Sequence, residues 1–152
     1  MVTNGKQRRP VNGKRQAAPK NGGRPTILIV DDEPAIRVLL DAALDGAGYR
    51  LLEAADGYSA LEAARTEHPD LVLLDIGLPG LSGLEVCRRL RDEAGTADTP
   101  VLFLTGLGRE AEEEAAATVG AQGVITKPFS PSALVKQVAQ MLRRPAAAAA
   151  GR

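Results

Sequence analysis

Leu71-Val72-Leu73-Leu74-Asp75-Ile76-Gly77-Leu78-Pro79-Gly80-Leu81-Ser82-Gly83 is the stretch whose reading decides the fold. Four consecutive apolar residues predict a strand buried on both faces, as in a parallel sheet covered by helices. The run stops at one aspartate, and a Pro/Gly loop follows at once. A carboxylate at that point lies where sheet gives way to solvent. It can close a turn, cap a helix or meet a substrate. Three other strand-like segments also end in polar residues, at Asp31-Asp32, at Thr105 and at Lys127. Strand ends carrying acids, a hydroxyl and an amine point to a site.

The rest of the chain supplies the frame for that strand. Thr26-Ile27-Leu28-Ile29-Val30 reads as a buried strand that ends at Asp31-Asp32-Glu33. Pro34 then suits a first helical position, and Ile36, Leu39, Leu40, Ala43 and Leu44 recur at helical spacing up to Gly46 or Gly48. Leu51-Leu52 centres a shorter strand, and Asp56-Gly57 turns into a helix over about Tyr58–Thr66 with Ala60, Leu61 and Ala64 inward. Ser82-Gly83-Leu84-Glu85 has capping-box spacing and starts a helix that buries Leu84, Cys87 and Leu90. Val101-Leu102-Phe103-Leu104 is a further strand, followed by an Ala/Glu-rich helix over Arg109–Val119 that ends at Gly120. Gly123-Val124-Ile125-Thr126 is the last strand. Ser130 caps and Pro131 opens the last helix, with Leu134, Val135, Val138, Met141 and Leu142 inward.

Strand and helix alternate five times. Crossovers between parallel strands are right-handed and each requires a helix, so the pattern predicts an α/β fold: a parallel, doubly wound sheet with helices on both faces. With five strands in the flavodoxin-like order 2-1-3-4-5, ligands bind at the switch point between the first and third strands. Those strands end in Asp31-Asp32 and Asp75.

Composition narrows the function classes. The 152 residues balance 19 basic against 19 acidic side chains, but unevenly. Residues 1–25 hold Lys6, Arg8, Arg9, Lys14, Arg15, Lys20 and Arg24 with no acid, leaving 12 basic against 19 acidic elsewhere, a net of −7. We read residues 1–25 as a disordered basic tail able to contact an anionic partner, residues 26–144 as the folded domain and residues 145–152 as an Ala-rich tail. An acidic body argues against a nucleic-acid surface on it. The lone cysteine, Cys87, excludes an internal disulfide, fits a cytoplasmic protein and falls at core spacing. Its one companion soft ligand, His68, stands before Pro69 in a linker, so zinc has no ligand set. No apolar run approaches the roughly 20 residues that span a membrane.

Three carboxylates at one switch point repel one another and do not all ionise without a cation. Hard oxygen donors select Mg²⁺ or Mn²⁺. A metal held by acids, with a lysine and a hydroxyl opposite, equips a site for phosphoryl transfer, which depends on positioning and charge neutralisation. One carboxylate can itself be the nucleophile and form an acyl phosphate. Lys127 would pair with phosphoryl oxygens, while the Thr105 hydroxyl and the Gly106 N–H would donate to them.

Asp31-Asp32-Glu33, Asp75-x-x-Leu78-Pro79-Gly80-x-x-Gly83, Thr105-Gly106 and Lys127-Pro128-Phe129 together resemble the receiver domain of two-component response regulators, over about residues 26–144. The resemblance implies that Asp75 accepts a phosphoryl group from a histidine kinase or histidine phosphotransfer protein. It implies that Asp31, Asp32, Asp75 and the main-chain carbonyl of Gly77 hold Mg²⁺, and that the Lys127–Pro128 bond is cis. Thr105 and the residue three before the lysine are the family's switch pair. That residue, usually aromatic, is Val124 here, so the aromatic switch is absent or altered. Gly106 and Gly77 replace bulkier family residues and leave space beside the site. Leu107, two after Thr105, matches a position that flanks the path of attacking water.

After Arg144 the chain has only Pro145, alanines, Gly151 and Arg152. The expectation is a stand-alone receiver with no DNA-binding domain, acting through an unknown downstream protein and catalysing only its own phosphorylation and dephosphorylation. Two alternatives stay open. One is a receiver-like scaffold that is never phosphorylated. The other is a Mg²⁺-dependent phosphatase of the haloacid-dehalogenase type, although that family places its acids as Asp-x-Asp after the first strand.

Overall fold

The computed structural model describes residues 23–106 and 109–143. The readings of the basic tail up to Gly22, of Leu107 and of the Ala-rich C-terminal tail lie outside the described residues. Ten elements alternate: β1 (Thr26–Val30), α1 (Pro34–Leu44), β2 (Arg50–Ala54), α2 (Gly57–Glu67), β3 (Leu71–Asp75), α3 (Gly83–Arg91), β4 (Val101–Thr105), α4 (Arg109–Thr118), β5 (Gly123–Thr126) and α5 (Pro131–Arg143). All strand pairs are parallel, and the sheet order is β2-β1-β3-β4-β5.

Strand periodicity divides the core into two. Successive side chains of a strand point to opposite faces, so each buried strand serves both layers. Leu28, Val30, Val72, Leu74, Val101 and Phe103 face a cluster completed by Leu61, Ala64, Val86, Cys87, Leu90 and Ala116 from α2, α3 and α4. Ile27, Ile29, Leu71, Leu73, Leu102 and Leu104 face the other cluster, completed by Leu40 and Leu44 of α1 and Leu134, Val138 and Met141 of α5. Burying a Leu or Phe side chain is worth about 1.5–3 kcal/mol, so the three central strands carry most of the driving force.

The edge strands are half-covered, which is why β2 has the weaker apolar signal in the sequence. One residue of the helical reading is corrected. Leu39 is 44% exposed and Val38 67%, because the buried stripe of α1 runs through Leu40 and Leu44. Leu39 lies on the solvent side of that stripe. Helix starts follow local chemistry: Ser82 Oγ accepts from Glu85 N–H, Asp56 from Ser59 N–H and Ser130 Oγ from Ala133 N–H. His68 closes α2 as an exposed left-handed cap with φ 48°.

Candidate functional site

The parallel topology brings the C-terminal ends of β1, β3, β4 and β5 to one edge of the sheet, and the polar residues of the sequence pattern meet there. Asp31, Asp32 and Asp75 each offer a carboxylate oxygen within 4.8 Å of the others. Asp31 is fully buried, Asp75 is buried and Asp32 is exposed. Lys127 follows β5 directly. Its N–H donates to the Thr105 carbonyl at 2.7 Å, which ties the ends of β4 and β5 together. Its ammonium donates to Asp31 Oδ2 at 3.0 Å and lies 3.6 Å from Asp75 Oδ1. The Lys127–Pro128 bond is cis.

Asp31 is held at every polar atom. Its N–H donates to the Ala54 carbonyl, and its carbonyl accepts from Arg37 Nη1 at 2.7 Å. Oδ1 accepts from Glu33 N–H at 2.9 Å. Neither aspartate is the N-cap of α1: that residue is Glu33, and it makes no side-chain cap bond.

Asp75 does close a turn, since its Oδ1 accepts from Gly77 N–H at 3.1 Å, but it also faces the acid cluster. Burial pushes its carboxyl above the ordinary carboxylate range. The Gly77 hydrogen bond and Lys127 oppose that shift, while Asp31 and Asp32 add to it. Burial by itself would lower Lys127, yet the Asp31 hydrogen bond and the charges of Asp75, Asp31 and Glu33 together raise it. An Asp75 carboxyl that resists ionisation, next to a lysine that resists deprotonation, marks a site short of positive charge. The oxygen-only donor set and spacing fit a hard divalent cation.

The loop after Asp75 is short and closed. Ile76 N–H donates to the Leu104 carbonyl, and Gly83 N–H to the Ile76 carbonyl, each at 3.0 Å. A Cβ on Gly83 would fall on the Asp75 carbonyl oxygen and lie 2.9 Å from Ile76 Cα, so glycine is required there. By contrast, among the described residues a Cβ on Gly106 would meet nothing within 4 Å, and one on Gly77 only Asp75 Oδ1 at 3.9 Å. Space beside the site is present as expected. Thr105 is buried at the end of β4, and Val124 is half-buried against the α2–α3–α4 cluster.

Three residues near the site were not singled out by sequence. Arg37 and Glu53 pair at 3.1 Å beside the acid loop. Glu112 of α4 has a buried Oε1 with no hydrogen bond among the described residues, and its carboxyl is raised by burial and then by Asp75. The pairing of α1 with β2, and the influence of Asp75 on Glu112 of α4, are set by packing across elements. Local spacing carries no trace of them.

The comparisons with known proteins agree with this geometry. The curated relatives include the phosphate regulon transcriptional regulatory protein PhoB of Pseudomonas aeruginosa, 47% identical over 78% of this chain and 52% of its own length. They also include the DNA-binding dual master transcriptional regulator RpaA of Synechocystis, 42% identical over 79% of this chain and 50% of its own. Among solved structures, the chemotaxis protein CheY4 of Vibrio cholerae superposes with a TM-score of 0.74 at 33% identity, covering 78% of this chain and 99% of that one. The chain spans about half the length of the curated relatives it matches. That overturns the expectation of a stand-alone receiver without DNA-binding output: these relatives are named as transcriptional regulators, and the matched half is the receiver. The phosphatase and scaffold alternatives gain nothing from these matches. A family model, the response regulator receiver domain, matches residues 27–139, and the chain belongs to that family.

Proposed function

We propose that Asp75 accepts a phosphoryl group from a phosphohistidine donor, a histidine kinase or a histidine phosphotransfer protein, in two-component signalling. The observation that carries this reading is the Asp31–Asp32–Asp75 cluster within 4.8 Å, faced by Lys127. An Asp75 carboxylate oxygen attacks phosphorus, the phosphorus–nitrogen bond breaks, and the imidazole leaves with the electron pair and is reprotonated. The product is an acyl phosphate on Asp75. Lys127 pairs with the incoming phosphoryl oxygens, and the Thr105 hydroxyl and Gly106 N–H donate to them. Asp31, Asp32, Asp75 and the Gly77 carbonyl are the groups that would hold Mg²⁺ or Mn²⁺. Bound there, the ion supplies charge neutralisation for the phosphoryl oxygens.

Thr105 and Val124 form the switch between the two states. Without an aromatic ring at position 124, movement of Thr105 onto the phosphoryl group is matched by aliphatic packing of Val124 against the α2–α3–α4 cluster. In this reading the domain catalyses only its own phosphorylation and dephosphorylation, in the cytoplasm. The half-length matches to transcriptional regulators support control of transcription as its output. Incubation with acetyl phosphate and Mg²⁺, followed by intact mass, tests the reading. An adduct of about 80 Da, one phosphoryl group, is expected in the parent and absent in Asp75→Asn or with chelator. An equal adduct in Asp75→Asn would overturn it.

A further inference from the structure

Asp32 differs from its two companions in how it is held. Asp31 is fixed at all its polar atoms, and Asp75 is fixed by Gly77 N–H and flanked by Lys127. The exposed Asp32 carboxylate accepts no hydrogen bond among the described residues, so its position is set through the main chain alone. The peptide unit that joins Asp31 to Asp32 contains the Asp31 carbonyl, and that carbonyl accepts from Arg37 Nη1 at 2.7 Å. Arg37 lies one turn into α1, is 18% exposed at its side chain and is held in turn by Glu53 of β2, Nε to Oε1 at 3.1 Å. A guanidinium presents its donors in one rigid plane, so it holds both partners in a fixed relation that a flexible lysine does not impose.

We propose that Arg37 is a positioning residue of the divalent-metal site: by clamping the Asp31–Asp32 peptide plane it aims the Asp32 carboxylate at the cation, and Glu53 holds Arg37 in place. This rests on the metal reading of the site given above. Two effects of the side chain have opposite signs, which makes the proposal decidable. As a positive charge near a cation site, Arg37 opposes binding, and Glu53 offsets that charge. As an orienting group it favours binding. Groups that orient metal ligands from behind typically matter by 10–100-fold in affinity, whereas the charge of Arg37 is offset by its ion pair with Glu53. Orientation wins.

The test is Mn²⁺ affinity of the whole chain, read by electron paramagnetic resonance of free Mn²⁺ well below the melting temperature. Arg37→Met is expected to weaken Mn²⁺ about tenfold, the low end for such groups. Glu53→Gln, which leaves the Arg37 bond to the carbonyl but loosens its hold, is expected to weaken it about threefold by the same reasoning. In an Asp32→Ala background, Arg37→Met should change the affinity no further, because its effect runs through Asp32. Unchanged or tighter binding in Arg37→Met, or the same loss persisting without Asp32, would overturn the proposal. If Arg37→Met does not fold, Glu53→Gln decides, and unchanged binding there counts against it. A parent chain that binds no Mn²⁺ would instead refute the metal reading itself, and this proposal with it.

Discussion

The Lys127 ammonium donates to Asp31 Oδ2 at 3.0 Å across 96 positions of sequence, and Asp31 is fully buried. The chain thus carries an internal cation at its acid cluster. A buried carboxylate without a partner is costly, and removing one member of a buried pair typically costs about 3–5 kcal/mol.

Lys127→Met is therefore expected to lose about 3 kcal/mol without metal, the low end of that range because the lysine keeps some contact with solvent. Because the lysine pKa is raised, the pair stabilises the fold below 10.5 and is lost only as pH climbs through the higher native value. Added Mg²⁺ should recover more melting temperature in the variant than in the parent. Thermal scans with and without Mg²⁺ check this, and equal metal-free melting points would contradict it.

Asp75 has linkage of the same sign in a much lower pH window. Burial, then Asp31 and Asp32, outweigh Gly77 and Lys127 and raise its carboxyl above 3.8. A raised carboxyl favours the fold when protonated, and that contribution is lost as pH rises through the native value, so the ionised group weakens the fold at neutral pH. Asp75→Asn should raise the metal-free melting temperature at pH 7 by a few degrees, about what 1 kcal/mol gives a domain of this size. The gain should shrink as pH falls and vanish below about 4, where the parent carboxyl is neutral as well. A gain independent of pH would show that the charge is not its cause.

Gly83→Ala should unfold or severely destabilise the chain, because the added methyl collides with the main chain of Asp75 and Ile76. Overpacking against well-packed surroundings costs about 1–3 kcal/mol, and here the obstacle is backbone that cannot rotate away. Gly106→Ala is the control, since its Cβ meets nothing within 4 Å among the described residues. Chemical denaturation of both variants checks the contrast, which fails if the two lose equal stability.

The central architecture was legible in the sequence for a physical reason. Leu71–Leu74 and Thr26–Val30 are buried on both faces, so their apolar runs are unbroken and the acids that end them stand out. Asp75, Asp31, Lys127 and Thr105 could be placed together because parallel strands all end on one edge. Leu39 misled because helical spacing fixes the direction of an apolar stripe and leaves its width open. Arg37 and Glu53 gave no signal, since their pairing depends on how α1 crosses the end of β2. The expectation of a receiver acting alone came from the end of the chain and not from any residue of the site.

The most direct test of the central claim is where the phosphoryl group sits. After treatment with acetyl phosphate and Mg²⁺, borohydride reduces an aspartyl phosphate to homoserine, and peptide sequencing by mass spectrometry locates it. The account predicts homoserine at position 75 alone. Homoserine at Asp31 or Asp32 instead, or at no position, would contradict it.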